Sequence, residues 1–108
     1  MIAPEETQLQ TERISVQAPS SIPVRMVEDY VNRCITALPV VKTALERLAY
    51  GDVRVFGHRL RGTGGAYGIP VLTEMGSAIE EAAQRSNTAE LQRQVAALEA
   101  YLSRIEIV

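Results

Sequence analysis

The chain has 108 residues, of which 46% are hydrophobic and 22% are charged. That length suits one domain built around one apolar core, and the composition is close to the average for globular domains. The formal net charge of −2 gives no general attraction to nucleic acid or to anionic membranes, so we expect neither as a partner.

The chain contains one cysteine, Cys34, and one histidine, His58. Cys34 cannot form an internal disulfide, and one Cys with one His cannot build a four-ligand zinc site. We therefore expect no metal site and no cofactor. No apolar run approaches the ~18–20 residues that span a bilayer, and the acidic start of the chain does not resemble a signal peptide. These features predict a cytoplasmic protein.

Residues 1–22 are rich in Gln, Thr, Ser, Glu and Pro and show no apolar period. We predict a disordered leader there, followed by an ordered domain over residues 23–108. Its first helical segment covers about residues 24–37 and stops before Pro39. Proline inside a helix costs about 3 kcal/mol, so we expect a kink or a new helix at that position.

Four further segments have helical spacing of apolar residues. The second, over residues 39–49, is predicted to end at Gly51, and Asp52 is predicted to cap the third, which ends near Gly68. Pro70 opens the fourth, and Asn87 with Glu90 forms a capping signature for the fifth. No segment alternates long enough to form a sheet; the nearest case is 105–108. The predicted fold is all-α: an antiparallel up-and-down four-helix bundle with an extra N-terminal helical segment.

The third segment exposes His58. At about 100° per residue, the helix has one apolar stripe, and His58 lies on the opposite side. The residues of that stripe are Val53, Phe56, Leu60, Gly64 and Tyr67. The helix surface around His58 is formed by Arg54, Arg61, Gly62 and Gly65. An exposed imidazole flanked by cations and by small residues is accessible to a large partner and suited to holding an anion.

The glycines of this segment need an explanation, because each costs a helix about 1 kcal/mol relative to alanine. Gly64 lies on the buried stripe and would let another helix approach closely. Gly62 and Gly65 lie on the His58 face and leave the ring uncovered. A phosphate-binding loop is one alternative, but Gly62-x-Gly64-x-x-Tyr67 lacks the last glycine of the dinucleotide motif, and no Gly-Lys-Ser/Thr follows. An ordinary surface histidine is the other alternative.

The string from Gly57 to Gly68, GHRLRGTGGAYG, resembles the histidine-containing phosphotransfer (HPt) domain. The family pattern is His-x-Leu-Lys-Gly, followed by small residues and a later glycine. This chain matches it at His58, Leu60, Gly62 and Gly68, with Arg61 in place of the commoner lysine. Residues 79–83, Ile-Glu-Glu-Ala-Ala, and the leucine-striped last helix are also similar to the family. The resemblance covers about residues 24–106.

This resemblance implies a module of a two-component or multistep phosphorelay. His58 would accept a phosphoryl group from the aspartate of a response-regulator receiver domain, or donate it to one. The receiver would supply the acidic cluster and Mg²⁺, while Arg61 would screen the phosphoryl charge and Arg54, Gly62 and Gly65 would dock the partner. Partners would be receiver domains and a hybrid sensor histidine kinase, and the module would be a monomer.

Two other classes of function are open at this point. One is a helical protein–protein adaptor that binds a partner without phosphotransfer, and the other is a structural or dimerisation domain. An enzyme with its own active site is not expected. Nothing near His58 in the sequence offers an oriented carboxylate, and no Cys/His or Ser/His pair stands out.

Overall fold

The fold was analysed in a computed structural model that describes residues 12–108. Four α-helices and two short strands follow one another along this part of the chain. They are β1 (Ile14–Val16), α1 (Val24–Glu46), α2 (Tyr50–Gly64), α3 (Pro70–Gln84), α4 (Thr88–Arg104) and β2 (Ile105–Ile107), with a 3₁₀ turn at Gly65–Tyr67. The fold is mostly helical, as predicted. No helix within residues 12–108 is long and apolar enough to cross a membrane.

The first two predicted segments form a single helix, α1, so the extra N-terminal helical segment is not present. Pro39 lies inside this helix without ending it. The buried positions Cys34, Leu38, Val41 and Leu45 continue on one face through the proline and pack into the same core. Pro39 itself is exposed, so water can satisfy the backbone carbonyl that loses its donor. Tertiary packing therefore outweighs the local cost of the proline.

The turn between α1 and α2 comes earlier than predicted. Leu48, with φ of 58°, reverses the chain, and the amides of Leu48 and Ala49 bond back to the carbonyls of Leu45 and Ala44. This is the hydrogen-bond pattern that commonly closes a helix through a left-handed residue. Asp52, predicted as the cap, instead lies in the first turn of α2, and Gly51 lies there too.

The C-terminal half follows the predictions closely. Pro70 is the first residue of α3, and Gly68, with φ of 82°, ends the 3₁₀ turn that extends α2. Asn87 caps α4, with its side-chain oxygen accepting the Glu90 amide at 3.1 Å. These boundaries were predictable because each depends on residues close together in sequence.

The two strands were not predicted. β1 pairs with β2 in a parallel ladder, with Ile14 opposite Ile105 and Val16 opposite Ile107. Arg104 also donates to the Glu12 carbonyl at 2.9 Å. Residues 12–22 are therefore ordered against the C-terminus rather than part of a disordered leader, while the rest of that predicted leader, 1–11, lies outside the described residues. Strands of three residues are too short to give an alternating pattern.

Candidate functional site

His58 lies on the solvent-exposed face of α2, as the helix wheel predicts. Its side chain is 68% exposed. The opposite face is buried, at Val53, Gly57, Leu60 and Gly64, while Phe56 and Tyr67 of the predicted stripe are half-buried. The imidazole therefore contributes nothing to the apolar core and is accessible to a macromolecule.

Two glycines bring α3 unusually close to α2 beside His58. A Cβ atom built on Gly76 would lie 2.7 Å from the Gly57 carbonyl oxygen and would overlap the backbone nitrogen of Arg61. A Cβ atom on Gly57 would lie 2.7 Å from the backbone nitrogen of Glu80. Only glycine permits this approach at positions 57 and 76, since the atoms that a Cβ would overlap belong to the backbone of the other helix. The contact places the Glu80 side chain, one turn after Gly76, at the edge of α2.

Glu80 joins His58 and Arg61 in one cluster. Its carboxylate lies 2.7 Å from His58 Nδ1 through Oε2 and accepts a 2.8 Å hydrogen bond from Arg61 Nη1 through Oε1. The side chain of Glu80 is only 9% exposed, whereas its two partners are largely in solvent. Each carboxylate oxygen of Glu80 therefore has a hydrogen-bond partner on α2.

The charge state of Glu80 decides which nitrogen of His58 is free. The hydrogen bond from Arg61, and after it the contact with His58, lower the pKa of the Glu80 carboxyl, although its burial opposes the shift. Glu80 is therefore an anion at neutral pH and can only accept hydrogen bonds. His58 Nδ1 must then carry the proton. In the neutral ring, Nε2 keeps its lone pair and is the nucleophilic atom.

Glu80 is the functional residue that sequence reasoning missed. We expected no oriented carboxylate near His58 in the sequence, and Glu80 is 22 positions away, on the next helix. A signal was present nonetheless. Glu80 follows Gly76 by four residues and precedes Ala83 by three, so it lies on the buried stripe of α3. A glutamate on a buried stripe needs a partner.

The other predicted site residues lie around this cluster in different ways. Gly62 is exposed, and a Cβ there would meet no atom within 4 Å. Arg54 is exposed on the same face as His58, and within residues 12–108 it has no hydrogen bond or ion pair from its side chain. Gly65 belongs to the 3₁₀ turn, and its amide donates to Thr73 Oγ1 at 2.8 Å.

Thr73 holds the end of α2 in place. Its hydroxyl accepts from the Gly65 amide and donates to the Arg61 carbonyl at 2.9 Å. The threonine thus stands between an amide and a carbonyl that a regular helix would join directly. Through this bond α3 fixes the backbone of Arg61, the residue whose side chain holds Glu80.

No protein-family model, curated protein sequence or solved structure matches this chain. Within residues 12–108, no group of three or more His, Cys, Asp or Glu side chains is placed to hold a metal ion. The nucleophile available on this surface is the Nε2 atom of the largely exposed His58 ring.

Glu80→Gln tests the assignment of Nε2. An amide can either accept from His58 Nδ1 or donate to it, so the variant should populate both ring tautomers, whereas the wild type should hold the proton on Nδ1. Ring ¹⁵N chemical shifts measure the two populations at pH 8. The neighbouring, exposed Glu81→Gln is the control and should match the wild type. An unchanged tautomer population in Glu80→Gln would contradict the role given to this carboxylate.

Proposed function

We propose that this chain is a histidine phosphotransfer module of a phosphorelay, with His58 as the phosphoryl acceptor and donor. The supporting observation is the largely exposed imidazole whose Nδ1 is held by Glu80, which leaves Nε2 as the ring nitrogen that this contact does not occupy. In this proposal the four helices form an antiparallel up-and-down bundle, and the module is a cytoplasmic monomer without a kinase site of its own.

The phosphoryl exchange does not require a proton to leave the site. The lone pair of Nε2 attacks the phosphorus of an aspartyl phosphate on a receiver domain. The bond from phosphorus to the carboxylate oxygen breaks, and its electron pair stays on the departing aspartate. The ring becomes positively charged while keeping its proton on Nδ1, and the Glu80 carboxylate stabilises that charge. The reverse reaction follows the same path.

Arg54 and Arg61 supply positive charge about one turn before and one turn after His58 along α2. Arg61 uses Nη1 to hold Glu80, and a guanidinium has further N–H groups for an anion. In the proposal Arg61 therefore has two tasks: it fixes Glu80, and it screens the phosphoryl group on Nε2. Arg54 lies on the same exposed face and attracts an anionic partner.

The decisive experiment uses two phosphoryl donors. The intact chain is incubated with radiolabelled phosphoramidate, which reacts without a protein partner, and separately with receiver domains charged by labelled acetyl phosphate. The proposal expects label that is stable in base, labile in acid and located on His58. Association with a receiver without any label, from either donor, would support the helical adaptor function instead.

We expect Arg61→Ala to slow phosphoryl exchange with a receiver by about tenfold or less, and more than Arg59→Ala does. A charge-assisted contact is typically worth about 1.5–3 kcal/mol, and exposure to water weakens it. Arg59 points about 100° away from His58 around the helix. The rates are measured at low and moderate salt. An equal or larger effect at position 59 would contradict the assignment of Arg61.

The double variant Arg61→Ala with Glu80→Gln separates the two tasks of Arg61. If Arg61 acts only by fixing Glu80, the double variant should be no slower than Glu80→Gln alone. If it also screens the phosphoryl group, the double variant should be slower than Glu80→Gln alone, but by less than the product of the two single losses, because the loss of Glu80 positioning is shared. We expect the second result, with the part due to Arg61 decreasing as the salt concentration rises.

A further inference from the structure

We propose that the free edge of β2 takes an extended segment of another protein as a third strand, beside a groove between β2 and α1. The segment would be apolar at alternate positions and would carry lysine or arginine. No residue of α2 or α3 lines this groove. The inference is therefore independent of the phosphotransfer proposal.

Three main-chain groups along the outer edge of β2 have no hydrogen-bond partner within residues 12–108. The Val108 amide donates to the Val16 carbonyl, and the Val108 carbonyl accepts from the Ala18 amide, so both groups of Val108 face β1. Successive residues of a strand point their main-chain groups to opposite edges, so the amide and the carbonyl of Ile107 face away from β1. The Ile105 carbonyl points the same way, while its amide still bonds within α4. Such an edge is a template for another strand.

The groove runs beside this edge, and α1 forms its other wall. Its volume is about 410 Å³, and its apolar lining residues are Val31, Ile35, Leu102, Ile105 and Ile107. Ile35 is 40% exposed, so part of the apolar wall is open to solvent. A third strand would point every second side chain to the same face of the sheet as Ile105 and Ile107. Apolar residues at alternate positions are therefore the pattern that matches this groove.

The charged groups of the groove favour a basic segment. They are Glu28, Glu106 and Arg13. Neither carboxylate has an ion pair within residues 12–108, whereas Arg13 donates to the Ser103 carbonyl at 3.1 Å. The neighbouring Arg104 donates to a carbonyl ahead of β1 and does not line the groove. Two carboxylates that are not paired outweigh one guanidinium that is partly engaged, so a lysine or arginine of the partner is complementary here.

Two occupants from the same protein match the groove less well. Residues 1–11 contain Glu5 and Glu6 and no lysine or arginine. A second copy paired antiparallel through Ile107 would bring two Glu106 carboxylates onto one face of the joined sheet, where like charges destabilise the pairing. Charge therefore favours a segment of a different chain.

The test titrates the intact, ¹⁵N-labelled chain with the peptide Lys-Val-Thr-Val-Thr-Val-Lys, blocked at both ends. A second peptide has glutamate in place of both lysines. Chemical shifts and amide hydrogen exchange are followed at Ile107, on the free edge, and at Val108, in the ladder. We expect the lysine peptide to bind with a dissociation constant of about 1 mM or lower and to slow exchange at Ile107 but not at Val108. The glutamate peptide should bind about tenfold more weakly.

Two proline variants form a matched pair. Ile107→Pro removes the amide on the free edge of β2, and Ser15→Pro removes an amide on the outer edge of β1. Neither amide belongs to the ladder between the two strands, and proline is tolerated at such positions. Ile107→Pro should bind the lysine peptide about tenfold more weakly, and Ser15→Pro should bind it as the wild type does. The exposed Glu28→Lys leaves both strands unchanged and should weaken the lysine peptide while strengthening the glutamate peptide.

A lack of saturable shifts with the lysine peptide would overturn the proposal, as would equal affinities of the two proline variants. Unchanged affinities in Glu28→Lys would overturn the basic character of the segment. Slow exchange at Ile107 before any peptide is added would also contradict the proposal, because the edge would already be covered. A second copy is then the occupant if the protection rises with protein concentration, and residues 1–11 are the occupant if it does not.

Discussion

His58→Gln should accept no phosphoryl group from phosphoramidate or from a receiver, and it should keep the fold. A glutamine amide has no nucleophilic nitrogen, whereas its N–H can still donate to Glu80 in place of Nδ1–H. The ring of His58 is mostly in solvent, so its loss removes no core packing. We expect a free energy of unfolding within about 1 kcal/mol of the wild type.

Counting of incorporated radiolabel measures phosphoryl acceptance, and urea unfolding measures the stability of the variant. Cys34 gives a separate control on the fold, because it is the single cysteine of the chain and is buried in the core. Burial raises the pKa of the Cys34 thiol, so it should react slowly with a thiol reagent in the folded variant. Undiminished labelling of His58→Gln would end the phosphotransfer proposal. Rapid modification of Cys34 would mean that His58 supports the fold.

The contacts of Glu80 with Arg61 and His58 also predict how the stability of the fold changes at low pH. The pKa of the Glu80 carboxyl is lower in the folded chain than in the unfolded one, so the contacts with Arg61 and His58 stabilise the fold at neutral pH. This contribution is fully present above the unfolded value, near 4.5, and is lost as the pH falls through the lower folded value. Acid unfolding of Glu80→Gln should therefore depend less on pH below 4.5 than that of the wild type, in denaturation curves taken at several pH values.

The sequence predicted those parts of the fold that depend on neighbouring residues. Asn87 and Glu90 define the start of α4, and Pro70 defines the start of α3. The helix wheel likewise placed His58 on the exposed face of α2. Each of these features is decided within one or two turns of helix, where hydrogen bonding and periodicity are strong.

What the sequence could not predict depends on distant contacts. Ile14 and Ile105 pair across most of the chain, and neither short strand has a pattern of its own. Pro39 remains helical because residues on both sides of it share one core. The helix wheel shows which face of α2 is exposed, but it does not say which helix lies beside that face. Glu80 could therefore be recognised as a buried glutamate, yet not as the partner of His58.

The second large effect is expected at the contact between α2 and α3, where Gly76→Ala should destabilise the fold by about 2–3 kcal/mol. The new methyl group would overlap the backbone of Arg61 and Gly57, and backbone atoms in paired helices cannot move aside as a flexible side chain can. Alanine gains about 1 kcal/mol in helix propensity, which is too little to offset the overlap.

Gly62→Ala is the matched control, since the same substitution there meets no atom within 4 Å. It should stabilise the fold by up to about 1 kcal/mol. Urea denaturation at constant m-value measures both variants. Since Gly76 also sets how near Glu80 comes to His58, the folded fraction of Gly76→Ala should show both ring tautomers by ¹⁵N NMR, as is expected for Glu80→Gln. Equal stability of the two alanine variants would mean that α2 and α3 can move apart without a loss of stability. In that case Gly57 and Gly76 would not be the residues that place Glu80 beside His58.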